Sequence, residues 1–203
     1  MKKLLLVLSI IFLLSGCAQT QLTSFTDPEF EGKTYSNVMI LTYFTNIQLR
    51  NEVEKAFTNL FISNSCNCSA SIDLIPPTRE YNADNINKAV FDNHIDSILE
   101  LNIIDANTNT EHYSTGSYTS GTASTYGNTT YYNAYSTPQS FNVTKTKITY
   151  QIKMYDAATG KVAWVASATV NGTDASTKEL AKSLAKQVME KLQQDGLIPI
   201  IQK

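Results

Sequence analysis

The chain has 203 residues, of which 42% are hydrophobic and 17% charged, with a formal net charge of −2. That length suits one domain with a proper core. The mildly acidic balance lacks the basic footprint of a nucleic-acid binder, and the only two histidines are His94 and His112.

Lys2 and Lys3 form a basic start, and Leu4 to Leu14 is uncharged and polar only at Ser9. As a helix this stretch spans about 16 Å, too short for a hydrocarbon core roughly 30 Å thick. It reads as the apolar region of a signal peptide comprising residues 1–16. The run closes on Leu14-Ser15-Gly16-Cys17, which resembles the lipobox of bacterial lipoproteins. Small residues let the chain enter a peptidase cleft, and the thiol accepts a diacylglyceryl group. The resemblance implies cleavage before Cys17, lipid on its sulfur and a further acyl chain such as palmitate on its amine. Two or more chains anchor stably where one is marginal, at ~0.8 kcal/mol per buried methylene. Ala18 stands where an Asp favours inner-membrane retention, so the resemblance implies an outer-membrane location facing the periplasm. Beyond residue 16, with Lys2 and Lys3 removed, 14 basic residues face 18 acidic ones, a balance of −4.

Residues 17–35 are polar, with Pro28 and no clear period, and are expected to be a lipidated tether; a first edge strand is the alternative. Val38 to Phe44 is a short apolar run, expected as a strand buried on both faces. A helix follows, with Thr45 and Gln48 as a capping box and an apolar face from Leu49 to Phe61. Ser69 to Ile75 reads as a second strand, stopped by Pro76-Pro77. Asp84 is expected to cap a helix carrying Ile86, Ala89 and Val90. Ile98 to Ile104 alternates as a third strand. This alternation of strands and helices predicts parallel pairing through crossovers.

From Thr146, Ile148, Tyr150, Ile152 and Met154 share one face, and Lys145, Lys147 and Lys153 the other. Asp156 to Lys161 is a turn with Gly160 free to take positive φ. Val162, Trp164, Ala166, Ala168 and Val170 complete a hairpin with one wet side. The last helix starts with the capping pair Ser176 and Glu179, carries Leu180, Leu184, Val188 and Leu192, and stops at Gly196. The expected fold is α/β: a two-layer sandwich of about five strands and three helices in a single domain, residues 36–203. The order resembles small periplasmic domains of the curli secretion channel lipoprotein and of lipoprotein activators of penicillin-binding proteins. The likeness rests on Asp156-Ala157-Ala158-Thr159-Gly160-Lys161-Val162-Ala163-Trp164 and on Asp195-Gly196-Leu197-Ile198. It implies a fold group rather than an activity.

Cys66 and Cys68 stand one residue apart. An oxidising envelope points to a local, strained disulfide; a metal, free thiols and pairing between chains are the alternatives. No metal site, cofactor or catalytic residue is expected. Gly160-Lys161 lacks the rest of a phosphate loop, no serine lies in a nucleophile elbow, and His94 beside Asp92 and Asp96 reads as a surface histidine. Lys178, Lys182 and Lys186 form a basic ridge on the last helix, and Lys145, Lys147 and Lys153 share a wet strand face. Either set suits an anionic polymer, a lipid or an acidic partner; a solvated face is the simpler expectation.

Residues 106–142 form a Ser/Thr/Tyr/Gly-rich excursion. The heart of it, Ser117 to Thr137, has almost no aliphatic residue, so it is expected to be mobile rather than a membrane hairpin, which needs alternate apolar positions. Tyr118, Tyr126, Tyr131 and Tyr132 are the candidate partner contacts. The expected function is that of a lipid-anchored, non-catalytic protein supporting a protein partner. An enzyme or glycan binder acting on cell-wall or surface sugars is the alternative. Oligomeric state is not legible.

Overall fold

The structure, a computed structural model, describes residues 18–78, 83–126 and 129–200, with the backbone alone at 83–85 and 115–138. Its strands are β1 (Gln19–Thr26), β2 (Asn37–Thr42), β3 (Asn67–Ala70), β4 (Ser97–Tyr126), β5 (Thr129–Asp156) and β6 (Val162–Thr173). They form one mixed sheet of six strands in the order β1-β6-β5-β4-β2-β3. The helices are α1 (Ile47–Ser63), the single turn α2 (Ser71–Leu74), α3 (Ala83–Asp92) and α4 (Thr177–Gln194). The α/β class with a mixed sheet agrees with expectation; the expected five strands and three helices become six and four. β2 pairs parallel with β3 and with β4, because helices return the chain between them. β4, β5, β6 and β1 pair antiparallel in succession.

Three local expectations are corrected. The segment 17–35, expected to be a tether, contains β1, which pairs with β6 from Gln19↔Asn171 to Thr26↔Trp164. Its one aliphatic residue, Leu22, left no hydrophobic period to read; backbone pairing makes the strand. Thr20, Leu22 and Ser24 are half-buried, while Gln19, Gln21, Thr23 and Phe25 are exposed. The second expected strand is only β3, because the chain turns into α2 at Ser71. The cap of α1 is Asn46, whose side chain accepts from Leu49 N at 3.0 Å, rather than Thr45.

Val38, Met39 and Ile40 are fully buried, as a central strand covered on both faces requires. The main core lies between the sheet and helices α1 and α4. Val53, Phe57 and Phe61 of α1 and Leu180, Leu184, Val188 and Leu192 of α4 meet Leu99, Leu101, Ile152, Met154, Trp164 and Val170 of the sheet. The capping box of α4 forms as expected, Ser176 and Glu179 satisfying each other's backbone N–H.

Three carboxylates, Glu54 and Asp156 buried and Asp195 half-buried, tie these layers together. Glu54 of α1 is fully buried. Its Oε1 accepts from Thr42 N (3.2 Å), Thr42 Oγ1 (2.9 Å), Arg50 Nε (2.9 Å) and Ser71 Oγ (2.8 Å), and its Oε2 from Ile72 N (2.8 Å). One side chain thus joins β2, α1 and α2. Asp156 accepts from Lys33 Nζ, from Tyr35 OH (3.2 Å), and from Thr159 N (2.9 Å) and Oγ1 (2.8 Å). That geometry closes the turn in which Gly160 takes φ 69°. Asp195 accepts from Trp164 Nε1 (2.8 Å), Ser24 Oγ (2.7 Å) and Lys191 Nζ (2.7 Å). The two stretches that carry the family likeness, around Trp164 and Asp195, therefore meet in one contact. For Asp195, burial pushes the carboxyl up, but Lys191, Ser24 and Trp164 outweigh it and hold it below its ordinary value. Asp156 follows the same balance through Lys33 and Thr159.

Within the segment 106–142, expected to be a mobile excursion, the described residues pair as a two-stranded ribbon. β4 and β5 stay paired from Ser97↔Asp156 to Tyr126↔Thr129, with register shifts at Ile103/Asp105 and Ser114/Gly116. β6 accompanies them only as far as Lys145↔Thr173. Beyond that row, from Asn109 to Tyr126, the ribbon extends roughly 55 Å at ~3.3 Å per residue. Cross-strand pairs hold its root: Thr110 Oγ1 lies 3.3 Å from Thr144 Oγ1, Lys145 Nζ 2.8 Å from Glu111 Oε2, and the Tyr113 and Phe141 rings stack with centroids 5.5 Å apart. Low aliphatic content does exclude a core here. It does not exclude strands, because Thr and Tyr favour extended backbone and the ribbon satisfies its own amide groups.

Glu54→Ala leaves the half-buried Arg50 guanidinium without its carboxylate and strips Thr42 N and Ile72 N of their acceptor. The expected loss is about 3–5 kcal/mol, the range for breaking a buried ion pair. Urea unfolding checks it: the midpoint falls while the slope stays unchanged.

Candidate functional site

The basic ridge expected on the last helix becomes one wall of a groove. Helices α1 and α4 lie side by side on the sheet and both begin at the end from which the ribbon leaves. The groove between them has a volume of about 660 Å³. Its apolar floor includes Ala56 and Leu60. Lys55 and Asn59 of α1 face Lys178, Lys182 and Lys186 of α4 across it. All four lysines are exposed. Among the described residues, only Lys186 of the four has an acid within ion-pair range, Glu190 at 3.9 Å. Glu52 also lines the groove. Glu179 lies close enough to Lys182 for that charge to help lower its carboxyl, after the larger effect of its hydrogen bonds to Ser176. Lys55 was not legible as a member of this set, since no sequence signal states which helix lies beside α4.

A second hollow adjoins the same ridge. It is lined by Ala18, Gln19 and Thr20 on one side and Lys182, Ser183 and Lys186 on the other. Ser183 Oγ donates to Ala18 O at 3.3 Å and lies 2.8 Å from Thr20 Oγ1. The first described residue is thereby held against the lysine ridge. Cys17 itself falls outside the described residues.

The other candidates are placed as follows. Lys145 pairs with Glu111 on the open face of the sheet, the face it shares with Lys147 and Lys153. His94 ends α3 with φ 53° and borders a cleft with Tyr35, Asp96 and Asp156. Its neighbouring carboxylates are already engaged: Asp96 Oδ2 accepts from Ser36 N (2.7 Å) and Asn37 N (3.0 Å), and Asp156 holds Lys33 and the turn. Burial, then the charge of Asp156, raises the Tyr35 hydroxyl far above its ordinary value. His112 Nδ1 lies 2.5 Å from Asn142 Oδ1 across the ribbon. Tyr118, Tyr126, Tyr131 and Tyr132 lie on the outer ribbon, their backbones paired with Thr137, Thr129, Ser124 and Ala123; their side chains are outside the described set.

Cys66 and Cys68 are free thiols, and the expected disulfide is corrected. Cys66 stands just before β3 and Cys68 within it, and both side chains are buried in the core. Burial pushes the Cys66 thiol up to about 11, helped by Asp96. Burial raises Cys68 to about 12. Among the described residues no group of three or more His, Cys, Asp or Glu side chains is arranged to hold a metal ion.

No protein-family model matches this chain, and no curated protein does. Among solved structures it is similar to the PelC dodecamer from Paraburkholderia phytofirmans, at 12% identity and a TM-score of 0.49, over 86% of this chain and 98% of that one. A point variant of the same dodecamer gives 11% identity and a TM-score of 0.48, over 85% and 98%. A PDZ domain protein from Parabacteroides distasonis is 9% identical with a TM-score of 0.34, the match covering all of this chain and 41% of that one. None of these likenesses assigns a family.

The two core thiols should resist alkylation in the native protein at pH 8, because only thiolate reacts. Both should react once the chain is unfolded in denaturant without reductant. Counting labelled cysteines by mass spectrometry, peptide by peptide, checks this; thiols that appear only after reduction would restore the disulfide.

Proposed function

We propose that the protein is a lipid-anchored component of a bacterial envelope, held at the outer membrane with its domain in the periplasm, that binds or supports a protein partner and performs no catalysis. The observation that carries this reading is the junction at Cys17. The lipobox-like stretch ends there, and the described structure starts at the next residue, where Ala18 O accepts from Ser183. Consecutive Cα atoms are only ~3.8 Å apart, so lipid on Cys17 would tie the domain directly to the bilayer surface without an intervening tether.

The carboxylates support the non-catalytic part. Glu54, Asp156 and Asp195 each spend their acceptor positions on donors that join elements of the fold, which is a structural use of charge. The ribbon supports the binding part. A two-stranded extension whose sequence includes Tyr118, Tyr126, Tyr131 and Tyr132 is rich in a residue type that serves well at interfaces.

Two experiments test the reading. Mass spectrometry of the mature N-terminus should find diacylglyceryl on Cys17, and Cys17→Ala should release the protein from membranes; an unmodified cysteine sinks the anchor. Replacing residues 113–141 by a two-residue Asn-Gly turn should leave the melting transition within a few degrees and abolish crosslinking to the partner in intact envelopes. Unchanged crosslinking would remove the ribbon from the interface.

A further inference from the structure

We propose that the α1–α4 groove is a seat for the anionic headgroups of membrane phospholipids, a second attachment that orients the domain around its anchor. The inference rests on the anchoring reading above and adds to it a face and a ligand chemistry. Lys178, Lys182 and Lys186 recur every fourth residue and so form one row along α4. Lys55 brings a fourth ammonium from α1 across the groove. Among the described residues, Lys55, Lys178 and Lys182 form no ion pair, and the 3.9 Å separation of Lys186 from Glu190 exceeds hydrogen-bond range. This concentration of cations lies in a chain that is acidic beyond residue 16, with 18 acidic residues against 14 basic ones. General attraction to an anionic surface is therefore absent, and the lysine row is a local exception.

Position selects the occupant. Lys182 and Lys186 border both the groove and the hollow formed with Ala18. The residue bonded to Ala18 cannot be further than one peptide unit from this face. Acyl chains entering a bilayer from that point bring the phosphate layer towards Lys182 and Lys186, which border the same hollow as Ala18, and charges closer than the ~8 Å screening length at physiological ionic strength act on one another. A lysine close to an anionic leaflet contributes about 1 kcal/mol, a factor of about five in binding. Exposed lysines on flexible stems suit a fluid surface of headgroups, which offers phosphate without fixed geometry.

The test uses the full chain purified from membranes with its native N-terminus. Binding is measured to vesicles of phosphatidylcholine alone and to vesicles containing phosphatidylglycerol, at low and high salt. The anchor is read by the first, the seat by the preference for the second. We expect binding to both, with a preference for phosphatidylglycerol that falls about fivefold for each lysine removed and disappears at high salt. The variant K178Q/K182Q/K186Q should lose the preference and keep the phosphatidylcholine binding. The control K88Q/K153Q/K161Q changes net charge equally and should keep both. Equal binding of the native chain to the two vesicles, or equal loss in the control, overturns the seat. No binding to phosphatidylcholine with a retained preference overturns the anchor and upholds the seat. Retention on an alginate resin that the same triple variant abolishes, without any vesicle preference, reassigns the groove to an anionic polymer and overturns the proposal.

Discussion

Strand β1 runs antiparallel along β6, and that pairing decides where the start of the fold lies in relation to everything else. Its register sets Gln19 opposite Asn171, and β6 in turn sets Asn171 opposite Lys147 at the root of the ribbon. Ala18 therefore sits at the ribbon end of the sheet, against Ser183 of α4. Had the same eight residues run free, a lipid at Cys17 would constrain nothing. A strand of this kind draws little on hydrophobic burial. It is held by its ladder of amide bonds and by side-chain links, Thr20 to Ser183 and Ser24 to Asp195. Such bonds are worth about 1 kcal/mol each in net terms, but they are directional, and they fix where Ala18 lies.

The same division of labour runs through the core. Apolar contacts between the sheet and helices α1 and α4 supply most of the driving force, and that force has no preferred geometry. The carboxylates supply geometry. Glu54 sets how α1 and α2 approach β2, Asp156 shapes the turn between β5 and β6, and Asp195 locks the end of α4 to Trp164. The buried pair, Glu54 and Asp156, is tolerable in a low-dielectric interior because its oxygens are engaged by donors.

The ribbon obeys a different economy. Past Lys145 it has, among the described residues, two strands and no third neighbour, so its stability comes from backbone pairing and cross-strand contacts such as the Tyr113–Phe141 stack. An isolated hairpin is marginal in water; this one grows from a sheet that has already set its register. Its root, the start of β1 and the beginning of α4 share one end of the domain. The helices leave the opposite face of the sheet open along β1, β6 and β5, where Gln21, Thr23, Phe25, Ser167 and Gln151 are exposed.

Periodicity alone determined much. Val38 to Ile40, the Leu180-to-Leu192 row and the alternation from Ile148 to Met154 each announced their element, because an apolar face must repeat with the geometry of the strand or helix that buries it. The Ser176–Glu179 cap and the Asp156–Gly160 turn were legible because local hydrogen bonds need only local spacing. Three features were decided by tertiary structure. β1 and the outer ribbon have no apolar period, and only strands lying beside them turn polar sequence into sheet. Cys66 and Cys68 stand one residue apart, but whether they pair depends on how the backbone enters β3, and the fold buries both thiols in the core as free groups. Lys55 joins Lys178, Lys182 and Lys186 only because α1 and α4 pack side by side, and a sequence states the faces of its helices without stating which faces meet.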